Sequence, residues 1–97
     1  MSKSGRQALL DAVGGCILQD RAALHGDPED SFHDIAVLWN AYFYARYGGD
    51  GPDIESQDVA FMMALLKMAR SVRNPTHLDN YVDGAGYMLL AGENYGD

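Results

Sequence analysis

Three of the seven lysine and arginine residues fall within "KMARSVR", at Lys67, Arg70 and Arg73. Shortly after, in "HLDNYVDGAGY", Asp79 and Asp83 stand about one helical turn apart, followed by Gly84 and Gly86. Ammonium and guanidinium groups spaced in this way suit phosphate oxygens. Two neighbouring carboxylates suit a metal ion or a nucleobase. The plainer chemistry is internal. Lys67 and Arg70 would pair with Asp79 and Asp83 and fix one helix against the next, because a cation adjoining an apolar segment needs a partner. Both can hold at once, with the ion pairs positioning the ligand groups.

Other residues join this set with less force. Trp39 and Tyr87 offer flat faces on which a base could stack, and Arg21 offers a further phosphate contact. Trp39, Tyr42, Phe43, Tyr44 and Tyr47 are dense enough for stacking, although an aromatic stripe at helical spacing is usually core. Asp30 and Asp34 lie opposite the Phe32/Ile35/Trp39 stripe and read as solvated. His25, His33 and His77 lack the four-residue spacing of a helical zinc pair, and Cys16 reads as a small core residue. Walker-type loops, hydrolase elbows and dinucleotide fingerprints do not occur.

Four helices are expected to carry these residues. The first spans 7–24, with Leu10, Val13, Ile17 and Leu24 at helical spacing and a kink or tight crossing at Gly14–Gly15. The second starts at "DPED", where Asp27 is placed as N-cap and Pro28 at the first helical position. It carries the stripe Phe32, Ile35, Trp39, Tyr42 and Phe43 and ends where Gly48 can turn left-handed. The loop 48–54 reads as the most mobile segment. The third starts with Ser56 as N-cap, stops before Asn74–Pro75, and contains the uninterrupted apolar run "VAFMMALL". A helix apolar all round is buried all round, and three companions are too few to cover it, so self-association is expected. The fourth starts at Thr76, with Asp79 in a capping-box position, and runs to about Ala91. On a wheel, Leu78, Tyr81, Val82, Ala85, Met88 and Leu89 form its core face. Asp79 and Asp83 lie on the border, and Gly86 lets another element come close. The fold class is therefore all-α: a compact bundle of about four helices in one domain spanning 1–97, forming a homo-oligomer.

Composition bounds the partners. The 97 residues are 47% hydrophobic and carry a formal charge of −7. Such a chain is globular rather than disordered. It lacks the basic face that a nucleic-acid polymer or an anionic membrane demands. One cysteine excludes an internal disulfide, and with neither a spanning run nor a signal-type segment the protein is expected to be cytoplasmic.

The segments "HGDPEDSFHDIAVLWNAY", "DVAFMMALLKMAR" and "HLDNYVDGAGYMLL" resemble a small phage and prophage family catalogued as a domain of unknown function. The family pattern is similar to Y-G-D-P, L-W-x-x-Y, D-V-A-x-M-M-x-L-L-K-x-A-R and H-x-D-x-x-x-D-x-x-G-Y; here His25 takes the place of the usual tyrosine. The resemblance carries over Gly26, Asp27, Pro28, Trp39, Asp58, Lys67, Arg70, Asp79, Asp83, Gly86 and Tyr87, and places Asp27 in the ligand-binding set. More remotely, the pattern is similar to phage nucleotide-modification-associated domains and to MazG-type all-α nucleoside triphosphate pyrophosphohydrolases. Those enzymes hold magnesium with E-x-x-E and E-x-x-D pairs, of which this chain has no E-x-x-E. The implied setting is a bacterial host cytoplasm, and the leading expectation is a non-enzymatic protein that binds a small phosphate-bearing nucleotide and needs no cofactor. Sequestering a host signalling nucleotide as an anti-defence function rests on the family likeness alone. The alternatives are magnesium-dependent pyrophosphohydrolysis, with Asp79 and Asp83 as metal ligands joined by Asp58, and a non-catalytic interaction adaptor in which the charged set is structural.

Overall fold

The computed structural model describes residues 3–15 and 28–93, and among these it contains four helices and no strand. They are α1 (Lys3–Gly15), α2 (Pro28–Tyr47), α3 (Ser56–Arg73) and α4 (Leu78–Gly92). The all-α expectation holds. The first helix begins four residues earlier than expected. Its expected continuation over 16–24, like the Asp27 cap, lies outside the described residues. A Cβ at Gly14 or Gly15 would meet nothing within 4 Å, so the expected tight crossing is absent there.

The helix ends follow local chemistry, with two shifts of one residue. Pro28 opens α2, and Gly48 ends it with φ +82° while its N–H bonds the Tyr44 carbonyl at 2.9 Å. The N-cap of α3 is Glu55, in extended conformation, rather than Ser56. Asp58 at N3 accepts the Glu55 N–H at 2.9 Å, and this capping bond sets the start one residue before the serine. Helix α4 is likewise capped by His77, with no side-chain bond from Thr76 or His77, so the Thr76/Asp79 capping box does not form. The turn is held instead by backbone bonds, His77 N–H to Asn74 O at 3.1 Å and Asn80 N–H to His77 O at 3.3 Å. The Tyr81 hydroxyl adds a 2.7 Å bond to the Pro75 carbonyl.

That short turn makes α3 and α4 an antiparallel hairpin, the most extensive packing in the described structure. Helix α2 packs against α3, and α1 against α4. One core cluster joins Phe32 and Ala36 of α2, Val59, Ala60 and Ala64 of α3, and Tyr87 and Ala91 of α4. Four of these seven are alanines, so the helices approach closely and the two rings supply most of the apolar area. The rings of Phe32 and Tyr87 lie 6.1 Å apart and tilted. Gln57 crosses from the start of α3 to donate to the Ala91 carbonyl at 2.8 Å, satisfying an end group of α4.

The expected apolar faces are only partly inside. Of "VAFMMALL", Val59, Ala60 and Ala64 are buried and Met63 half-buried, but Phe61, Met62, Leu65 and Leu66 are exposed. In α2 the stripe is buried or half-buried through Trp39, while Tyr42 and Phe43 project beyond it. In α4 the core face is rotated from the expected one. Asn80, Gly84, Tyr87 and Ala91 turn toward α3, with Val82 and Gly86 also buried, whereas Leu78, Tyr81, Ala85, Met88 and Leu89 are exposed. The seam is chosen by small residues that permit close approach, not by the largest apolar ones.

Candidate functional site

Lys67 in the middle of α3 and Asp83 in the second turn of α4 meet across the hairpin, Nζ to Oδ2 at 3.2 Å. Their side chains are 15% and 29% exposed. The two helices are close beside this pair: a Cβ built at Gly84 would lie 3.4 Å from the Lys67 Cβ, in ordinary van der Waals contact. Gly84 faces α3 beside the aspartate, and Gly86 is buried. This is the one ion pair among the described residues.

The remaining expected site residues scatter. Arg70 and Arg73 are exposed in the last turn of α3, and Asp79 is exposed in the first turn of α4. Each complements its helix dipole there, which is reason enough for those charges at those positions. Tyr87 is a core residue packed on Phe32, and Trp39 packs half-buried against the same cluster. Asp27 and Arg21 lie outside the described residues. Cavities at the C-terminal end of α2, between α3 and α4, and beside Gln57 and Ala91 are lined by none of Lys67, Arg70, Asp79, Asp83, Trp39 and Tyr87.

The largest of them, about 610 Å³, is a groove between α3 and α4. Phe61, Leu65 and Met68 form one wall, Tyr81, Ala85 and Met88 the other, and no ionisable group except the Tyr81 phenol lines it. Ser71 also lines it, but its hydroxyl is donated to the Lys67 carbonyl at 2.9 Å. Along α3 the exposed residues Phe61, Leu65, Met68 and Val72 follow a 4-3-4 spacing, which is the seam of a helix that packs on another helix. The sequence carries this signal inside and just beyond "VAFMMALL", masked because the buried face of the same helix is apolar too.

A second cavity, about 500 Å³, lies at the C-terminal end of α2 under the loop 48–54. The loop is tied down at its far end: the Asn40 amide donates to the Ile54 carbonyl at 2.8 Å and accepts the Ile54 N–H at 2.7 Å. An amide within an aromatic helix is the one sequence hint of this clamp.

Residues 8–95 match a family described as a domain of unknown function (DUF6378). The chain belongs to this family. Two relatives of the chain are phage proteins. The Gene 55 protein of Mycobacterium phage L5 is 43% identical over 80 residues, covering 82% of this chain and 47% of its own length. The Gene 55 protein of Mycobacterium phage D29 is 32% identical over 81 residues, covering 84% of this chain and 49% of its own. The chain thus spans about half the length of these curated relatives. No solved structure matches it. The phage-family resemblance is borne out, and in the described residues no helix is long and apolar enough to cross a membrane.

Proposed function

We propose that this DUF6378 chain is a non-catalytic helical interaction module whose α3–α4 groove is covered by the same groove of a second copy. The observation that carries this reading is the exposed Phe61/Leu65/Met68/Val72 seam beside a groove free of charged side chains. A seam at heptad spacing calls for a helix as its partner. An uncharged face lets two copies of a chain with formal charge −7 meet without opposing like charges. The half-exposed side chains of the groove present on the order of 500 Å² of apolar surface, within the range of the largest patch on a typical monomer, which is often an interaction site. Leu78 and Leu89 extend it round α4 toward the roughly 800 Å² per partner of a stable interface. The two-fold contact is self-complementary, seam on seam. Light scattering at high micromolar concentration should give a dimer, and Leu65→Glu with Met68→Glu a folded monomer. A native chain that remains monomeric there overturns the reading.

A second reading keeps the phosphate-bearing nucleotide. It rests on Arg70 and Arg73, exposed on one side of the last turns of α3 with no acidic partner among the described residues. Lys67 could join them only by leaving Asp83. Calorimetry with mono-, di- and cyclic nucleotides tests it, and absence of heat with all of them ends it. A magnesium clamp fits less well: in the described residues no three His, Cys, Asp or Glu side chains gather, and Asp83 is already engaged by Lys67.

A further inference from the structure

The cavity at the C-terminal end of α2 has the chemistry of a cation site, and its parts are fixed in place. Tyr44 and Tyr47 stand exposed on its rim, and the Phe43 and Tyr47 rings lie 6.3 Å apart as neighbouring walls. Tyr44 lies against the loop, its ring edge 3.1 Å from where a Gly49 Cβ would stand, so a side chain there would have to displace the ring. The Asn40 clamp and the left-handed Gly48 fix the two ends of the loop. Into this frame the loop brings Asp50 and Asp53, both exposed and both without an ion-pair partner among the described residues.

We infer that this cavity binds an organic cation, an alkylammonium or guanidinium group carried on an apolar stem. Three independent features select that charge: the electron-rich ring faces, the two carboxylates, and the negative end of the α2 dipole, where the last carbonyls lack helical partners. Anions are refused by all three. The ring chemistry is already in use within the chain, since the Arg46 guanidinium carbon sits 5.2 Å from the Tyr47 ring centroid. The formal charge of −7 adds long-range attraction for cations. An apolar stem would lie along Phe43 and Pro52, and the cationic head would reach Asp50 and Asp53.

The test is a backbone amide NMR titration of the full chain at physiological salt with three probes: spermidine, N-acetyl-arginine amide, and uncharged 1,6-hexanediol. Saturable shifts confined to 40–54 are expected with the two cations and not with the diol. Tighter binding of spermidine points to a free polyamine, and tighter binding of the blocked arginine to a side chain of a polypeptide. Asp50→Asn with Asp53→Asn should weaken binding about tenfold, at roughly threefold for each exposed charge. Tyr44→Leu should weaken it about two- to fivefold. These positions are exposed, so the rest of the spectrum should be retained. No saturable shift in 40–54, equal shifts with the diol, or unchanged affinity in the double Asn variant would each overturn the inference.

Discussion

With 15% and 29% of their side-chain surfaces exposed, Lys67 and Asp83 fall between two regimes. Exposed pairs contribute about 0–1 kcal/mol, whereas breaking a buried pair from one side costs about 3–5 kcal/mol. Asp83→Ala is therefore expected to destabilise the protein by about 1–2 kcal/mol, less than a buried pair because the Lys67 ammonium can extend toward water. Replacing both partners with Met and Leu should recover most of that loss, because no charge is then stranded. Urea unfolding of the single and double variants checks this, and a single variant as stable as the native chain would mean that the pair holds nothing together. At this scale the sequence showed which charges adjoin the seam but not which of them pair. Lys67, Arg70, Asp79 and Asp83 share similar azimuths on their helices, and only the axial offset of α3 against α4 selects Lys67 with Asp83.

Element ends and faces were legible to different degrees for physical reasons. Gly48 and Asn74–Pro75 stop their helices as backbone rules require. The starts of α3 and α4 differ from expectation by one residue because competing caps differ by only about 1 kcal/mol, so a single local bond, Glu55 N–H to Asp58, decides between Glu55 and Ser56. The buried face of α4 differs from the expected one because a helical wheel weights large apolar residues, while the hairpin closes on Gly84 and Ala91. This gives Gly84→Ala a definite sign. The added methyl group would meet the Lys67 Cβ at 3.4 Å, an ordinary van der Waals contact. The helix gains up to about 1 kcal/mol over glycine. A melting temperature equal to or above the native one is expected. A loss beyond about 1 kcal/mol would show that α3 and α4 already touch too closely for any side chain, and that the glycine is required by the seam.

For the whole molecule, the run "VAFMMALL" is apolar all round, yet only part of it is covered. Val59 is fully buried while Leu65, less than two turns on, is 59% exposed; one helix in this fold has one covered face and one bare one. If a second copy covers the bare face, folding and association are linked, and stability must rise with protein concentration because dimerisation draws on the folded state. The native chain should then melt at a higher temperature at 200 μM than at 5 μM, a difference expected to be a few degrees for a domain of this size. Leu65→Glu should abolish the concentration dependence while leaving the low-concentration melt within about 1 kcal/mol of the native one, since most of that side chain is already in water. Calorimetric scans at the two concentrations separate the cases. A concentration-independent native melt would leave the seam bare in the working protein. A Leu65→Glu variant that fails to fold at low concentration would instead place that face inside the monomer.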